Sequence, residues 1–460
     1  MSQAFDAVAQ QQLLERRVSE ALELARSLGA DACEVGASVD QGVSISVRDG
    51  EVETVELSRD QGIGVTVYLG NRKGSATSSD AGSDSIRAAV EKAVSIAHYT
   101  GEDSFAGLAP AELMATDFPD LKAHHPWAIS VDEATDLALA CERAGLEVEG
   151  IAQSEGASFS SGEGVQVYGN SHGFLASQCG SRHSMSCMLI AKDAQGMQRD
   201  YDYTSVRNPA DLRSPESVGR EAARRTLARL NARKVATGRM PVLFDPQMSA
   251  GLVGHYLSAI AGGSLYRESS FLCDSLGQPL FPDWFTLGEN PREVGGMSSA
   301  AFDNDGVATR DNVYFADGKV QSYMLSAYSA RRLNMQTTGN AGGARNVRIT
   351  APLTSLDEML KQMGTGVLVT ELMGQGVNGV TGDYSRGASG FWVENGEIQH
   401  AVEEFTIAGN LRDMAANLLA VGDDVDTRGS IHSGSWLIDG MTVAGMSEGE
   451  DEDEDEELEG

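Results

Sequence analysis

Several things are scarce in this 460-residue chain. There are five cysteines, at Cys33, Cys141, Cys179, Cys187 and Cys273, odd in number and with no CxxC spacing. That argues against a zinc ribbon or a disulfide frame and for reduced thiols in a cytosol. No apolar run approaches the length needed to span a bilayer, and the first residues lack a charged segment followed by an apolar one. Neither a membrane anchor nor a signal peptide is expected, and the predicted location is cytoplasmic. Basic residues are outnumbered, 35 against 67 acidic ones, for a formal charge of −32. Phosphate-backbone binding is carried by Lys and Arg, so a nucleic-acid partner is not expected. The stretch 447–460 holds ten of the carboxylates and no base, which leaves 57 acids against 35 bases elsewhere. This acidic tail is predicted to be disordered.

The remaining length suffices for two to three cores. Residues 7–28 have helical spacing, with Gly29 as the stop. Period-two segments follow at 31–39, 43–48, 52–57 and 62–69, with Asp49-Gly50 as a hairpin turn, and 71–78 extends them. A helix is expected over 84–98, capped by Ser83 or Asp84. Residues 101–127 carry Pro110, Pro119 and Pro126 and read as a linker or a surface strap. Sheet and helix then recur: a helix at 132–149, strands at 151–160, 165–168, 173–179, 183–192 and 198–204, and a helix at 216–230 opened by Ser214-Pro215. From residue 240 the chain becomes glycine-rich with short strands. Helices are expected at 247–261, ended by Gly262 and Gly263, at 355–361 and at 410–420. The fold class is α+β: an N-terminal sheet-and-helix domain (1–233, with 1–127 and 128–233 as candidate sub-parts) and a mostly antiparallel C-terminal domain (234–446).

Chemistry is thinly signalled. The helix at 247–261 carries one imidazole, His255, with no other His or carboxylate within a turn. A lone His does not hold a catalytic metal. A set such as His255, His400 and His432 would be needed for a stand-alone metal hydrolase, and the sequence does not place them together. Gly169-Asn170-Ser171-His172-Gly173 matches GxSxG but lies between strands, so a hairpin turn is expected there. The 339–343 glycine cluster suits a turn or an anion or backbone cradle, with Arg331, Arg332 and Arg345 near enough to meet a carboxylate or to form surface ion pairs. Between apolar runs at 367–370 and 391–393 lies a segment with six glycines from Gly374 to Gly390, read as a turn-rich loop. Glu394-Asn395-Gly396-Glu397 is the tight turn that follows.

Within that loop, Gly376-Val377-Asn378 and the run from Thr381 through Asp383-Tyr384-Ser385-Arg386-Gly387-Ala388-Ser389-Gly390 to Trp392 resemble the signature of the TldD/PmbA metallopeptidase family, in its PmbA (TldE) branch. Gly263-Ser264-Leu265-Tyr266, Thr338 to Gly343, and Met441 to Gly445 fit the same branch, and the resemblance covers about 10–446. It implies a cytosolic peptidase of two related subunits. The TldD-like subunit holds zinc through a HExxxH helix and a distal Cys. In the corresponding helix here Ala250 replaces the first His, Gly251 replaces the Glu, and only His255 is kept; the Cys position falls near Ser433. The expectations are therefore no metal or catalytic residue in this chain and zinc in a TldD-like partner. Substrates would be unfolded proteins or peptides, with a homodimer left open when the partner is absent. Asn378, Thr381, Asp383, Tyr384, Ser385, Arg386, Ser389, Gly342 and Gly343 are the candidate peptide-binding or partner-contact residues, with strand addition as the mode of binding. The alternative class is a non-enzymatic regulator acting through protein partners.

Overall fold

The computed structural model describes residues 5–80, 82–194 and 196–445, so the acidic tail at 447–460 lies outside the described residues. The N-terminal part runs α1 (Ala7–Ser27), β1 (Ala32–Arg48), β2 (Glu51–Leu69), β3 (Arg72–Ser78), α2 (Ser83–Tyr99), α3 (Val131–Leu146), β4 (Ile151–Asn170), β5 (Leu175–Lys192), β6 (Met197–Val206) and α4 (Pro215–Ala228). Its strands form one sheet in the order β3-β2-β1-β4-β5-β6, so strands from both sides of residue 127 share it. The segments read separately at 31–39 and 43–48 are one strand, as are 52–57 with 62–69, 151–160 with 165–168, and 183–192 with most of 173–179. Polar and glycine residues such as Asp40-Gln41-Gly42 interrupt the apolar alternation without interrupting the pairing.

The Asp49-Gly50 turn takes left-handed angles, φ 52° and 78°. The buried Glu142 carboxylate accepts both its backbone N–H groups at 2.9 Å, tying the hairpin tip to α3. Helix α2 starts after Gly82, not after a Ser or Asp cap; Asp80 accepts from Gly82 N and from the Ser85 hydroxyl instead. Helix α3 has the Ser130/Glu133 capping box and α4 the Ser214 cap with Pro215 in the first turn.

Odd-numbered β1 residues, Cys33 to Val39 and then Ile45 and Val47, are buried under the helices. Helices α1 and α2 cover the first half of that face and α3 and α4 the second. The opposite face, with Gly36, Ser38, Asp40 and Gly42, looks away from every helix of this sheet. Residues 101–127 strap this half to the other: Arg331 donates to the Phe105, Gly107 and Leu108 carbonyls at 2.7–3.0 Å, and Met114 bridges to Val307.

The second part comprises β7 (Gly238–Phe244), α5 (Pro246–Ala259), α6 (Gly262–Tyr266), β8 (Thr286–Glu289), β9 (Asn312–Ala316), β10 (Lys319–Val320), α7 (Ala327–Arg332), β11 (Val347–Thr350) and β12 (Leu353–Thr354). It continues with α8 (Leu356–Met363), β13 (Gly366–Met373), β14 (Asp383–Glu394), β15 (Glu397–Asn410), α9 (Leu411–Ala416), β16 (Leu418–Gly422), β17 (Ile431–His432) and β18 (Trp436–Ala444). Gly262 and Gly263 open α6 rather than closing α5, and the helix expected to Ala420 stops at Ala416, where β16 follows.

A five-stranded sheet has the order β10-β9-β8-β11-β17 and a seven-stranded one β12-β16-β18-β15-β14-β13-β7. Antiparallel pairs dominate, but β13–β7, β11–β17 and β12–β16 are parallel. Because β18 also pairs with β7, the strands β7, β13, β14, β15 and β18 close into a ring, which removes their free edges. β7 shows the two faces: Val242 and Phe244 join the core under α5, whereas Leu243 packs with Met359, Leu360 and Met363 of α8. Among the described residues no helix is long and apolar enough to cross a membrane.

Candidate functional site

Helix α5 begins sharply. Asp245 accepts from Met248 N at 2.9 Å and Pro246 occupies the first turn. Leu252, Val253, Tyr256 and Leu257 are buried, which leaves Gly251 and Ser258 exposed and Ala250, Gly254 and His255 half-buried on the opposite face. Against that face lies the segment joining β13 to β14, and between them a cavity of about 230 Å³ is lined by His255, Ser258, Phe271, Gln375, Val377 and Arg386 among others.

The joining segment is nine residues, 374–382, shorter than the loop read from composition, because β14 starts at Asp383. It is a self-paired turn. Asn378 N donates to the Asp383 carbonyl, Ser385 N to the Gly376 carbonyl, and Val377 bridges to Tyr384. Asn378 Oδ1 accepts from Val380 N at 2.9 Å, and the Thr381 hydroxyl donates to Asp383 at 2.6 Å. Asn410 Nδ2 donates to the Thr381 carbonyl and to Asp383. These hydrogen bonds, Thr381 first, hold the Asp383 carboxyl below its ordinary pKa. A Cβ on Gly376 would sit 1.9 Å from the Ser385 carbonyl oxygen, so only glycine fits there. Several of the main-chain groups expected to receive a substrate strand are thus used within the turn, by β13 and β15, or by Phe271.

The other candidates separate. Tyr384 is a core residue, 1% exposed, its ring centroid 6.1 Å from that of His255; burial pushes its phenol up to about 12. Burial first, and then Arg386, hold the His255 imidazole below its usual pKa, which favours the neutral ring. Ser385 is exposed on the strand, and Arg386 reaches back to the Leu372 and Met373 carbonyls. Ser389 is buried and ties the two halves of the molecule together. Its hydroxyl donates to Glu371 at 2.9 Å and accepts from Arg229 at 2.6 Å, and Arg229 also pairs with Glu371 and Asp200. Gly342 and Gly343 have φ of 94° and 101° and lie in a turn pinned by buried carboxylates. Asp303 accepts from Ala341 N; Glu289 accepts from Asn340 Nδ2 and from Arg345 N. That stretch is a packed turn, and Arg331 and Arg332 beside it serve the strap: Arg332 lies 4.9 Å over the rings of Phe105 and Tyr266.

The zinc positions implied by the family signature can be tested against these residues. Ser249 Oγ lies 2.9 Å from Ser433 Oγ, so Ser433 is indeed beside the first turn of α5. Ser433 is fully buried, and its hydroxyl donates to the Gly434 carbonyl. A Cβ on Gly251 would meet nothing within 4 Å. A methyl, a hydrogen and a hydroxyl stand where the signature has imidazole, carboxylate and thiolate, and this donor set does not fit zinc. Among the described residues no three His, Cys, Asp or Glu side chains group so as to hold a metal. His400 sits opposite Trp392 on β15 while His432 Nε2 is engaged with the Gly429 carbonyl, so neither joins His255. Four other imidazoles are engaged elsewhere: His124 with Glu163, His125 with the Lys122 carbonyl, His172 with the Ala109 carbonyl, and His183 with Ser161. The GxSxG run is the β4–β5 turn.

Comparison with known proteins bears on the same regions. Models of the PmbA/TldA metallopeptidase domain 1, central domain and C-terminal domain match residues 33–97, 124–230 and 237–445. The metalloprotease PmbA of Escherichia coli O157:H7 is 51% identical over 95% of this chain and 97% of its own length. A PmbA homolog from Haemophilus influenzae is 48% identical over the same shares. In three dimensions the chain superposes on a crystal structure from Bacteroides thetaiotaomicron with TM-score 0.88 at 25% identity, covering 94% of this chain and 99% of that one. TldE from Thermococcus kodakarensis shares the fold at TM-score 0.82 and 19% identity, over 93% and 100% of the two chains.

Proposed function

The chain belongs to the PmbA/TldD metallopeptidase family, in its PmbA branch, and from that premise we propose that it is the subunit of a two-chain peptidase that does not itself carry the metal. The observation that carries this reading is the α5 corner, where Ala250, Gly251 and Ser433 stand at the ligand and base positions and His255 alone remains. A TldD-like chain supplies zinc, and with it the activated water for peptide hydrolysis. This chain contributes walls: the face of α5 with neutral His255, and the turn 374–382 with Gln375, Val377 and Arg386 around the adjoining cavity. Asn378, Thr381 and Asp383 hold that turn in shape. Its outer face, where Met373 and Val380 are 44% and 53% exposed, is the partner-contact surface. Unfolded proteins or short peptides in the cytoplasm are the substrates, which suits a wall that offers shape and few charges.

The reading is tested by mixing. The purified chain, a TldD-like chain from the same source and the mixture are assayed on an unfolded peptide substrate, with size-exclusion chromatography alongside. Hydrolysis only in the mixture, with co-elution, is the expected result. Hydrolysis by this chain alone at the rate of the mixture would overturn it.

A further inference from the structure

A second hollow shares no lining residue with the cavity beside α5. It measures about 830 Å³ and lies on the helix-free face of the N-terminal sheet, under the strap and the 297–304 segment. Three guanidinium groups, Arg182, Arg207 and Arg345, line it. Among the described residues no ion pair forms at any of the three, whereas Arg213, Arg225, Arg229, Arg292 and Arg428 all have acidic partners. Arg182 donates to the Ser205 hydroxyl, Arg207 to the Ser181 and Met297 carbonyls, and Arg345 to the Gly343 carbonyl. These contacts hold the arginines in place without neutralising them. Arg207 Nε is buried without any hydrogen-bond partner, and burial together with the Arg182 charge lowers its pKa. The half-buried charge of Arg207, with exposed Arg182 beside it, is one that an anion would offset.

The carboxylates of the hollow do not supply it. Glu163 is taken by His124 and Asp120 by Lys122; Asp40 is left, and burial and Asp60 raise its pKa. Gly42, Gly162, Gly164 and Gly180 lie along its floor, with the Asp40 carboxylate over Gly164 and the Arg207 guanidinium over Gly180.

We propose that this hollow binds a carboxylate-bearing peptide segment, its acidic side chains or C-terminus paired with Arg182, Arg207 and Arg345 across the glycine floor. Planar guanidinium groups suit carboxylates through paired N–H donors. The excess of negative charge over the rest of the surface discourages the same peptide from binding elsewhere. Two sources share this chemistry: a peptide in solution, and the acidic run 447–460 of the chain itself. The choice of a peptide as the anion rests on the peptidase reading above; the arginine cluster does not.

The test is fluorescence anisotropy on the full-length chain without any partner. The probe is a labelled, end-blocked peptide of alternating Glu and Gly, and its control has Gln for Glu. Binding of the Glu peptide at least about tenfold tighter than the control, weakened by salt, is expected. R182Q with R345Q reduces it about tenfold or more while circular dichroism stays unchanged. Equal binding of the two peptides, or a double variant that binds as the parent does, overturns the proposal. Displacement of the Glu peptide by inorganic phosphate as readily as by unlabelled peptide overturns the ligand class. In a full-length chain whose tail carboxylates are changed to amides, tighter binding assigns the tail as occupant and unchanged binding assigns a peptide in solution; both support the site. Glu-peptide binding in a chain that never yields activity with a TldD-like partner would sink the subunit reading and leave this one standing.

Discussion

The α5 corner and the arginine hollow differ in which half of a binding site they possess. At the corner there is space at Gly251, where a Cβ would meet nothing within 4 Å, but His255 is the one zinc-ligand side chain present. In the hollow the charged donors are present, and among the described residues none of the three arginines has an ion-paired carboxylate. On the subunit reading, the fold keeps the shape of the corner without its donors, because shape rests on cores such as that of Leu252, Val253 and Tyr256. Donors kept without partners, by contrast, carry an energetic cost that packing does not explain.

The strongest way to break the contrast is to give the corner its chemistry. A250H, G251E and S433C together should convert the chain from negligible to about stoichiometric zinc binding, measured by competition with a chromophoric chelator. Failure of a folded triple variant to bind zinc would mean that the space is not a ligand cage. Next in size is a comparison of arginines. Arg229, half-buried between Asp200, Glu371 and Ser389, is structural, and R229A should cost about 3 kcal/mol in urea unfolding. Exposed, unpaired Arg182 should be replaceable by Gln within about 0.5 kcal/mol.

A pH test probes the head of α5. Burial pushes Asp245 up to about 6, although Met248 N and Arg225 pull it down. A carboxyl raised on folding contributes stability that is present below its unfolded pKa of about 3.9 and is lost as pH rises through 6. D245N keeps the cap and removes the titration, so its stability relative to the parent should improve by about 2 kcal/mol between pH 4 and pH 7. A constant difference across that range would refute the assignment. The smallest effect tests the room itself. G251A should stabilise the chain by about 0.5–1 kcal/mol, because alanine suits a helix interior and its methyl meets nothing; a loss would show the space to be filled.

Local signals were legible in the sequence. The Asp49-Gly50 and Asn395-Gly396 turns, the Ser214-Pro215 helix start and the β4–β5 turn in the GxSxG run all depend on a few adjacent residues, and all are present. The 381–392 signature identified the family. Strand continuity was not legible, because Asp40-Gln41-Gly42 looks like a turn until β2 and β4 are seen pairing on both sides. Closure of the β7–β18 ring depends on residues 196 positions apart, as where Val242 pairs with Ile438. The same limit hid the roles of Ser389 and Arg331, each of which closes a contact between the two halves. Arg345 stood out in the sequence beside a glycine cluster; Arg182 and Arg207 did not, since only the tertiary fold brings the three to one hollow.

The most direct measurement is the zinc content of the purified full-length chain after equilibration with excess zinc and removal of the free ion, by mass spectrometry in comparison with a TldD-like chain. The account predicts substoichiometric zinc here and one ion per chain in the partner. One tightly held zinc per chain in this protein, lost on H255A, would contradict it.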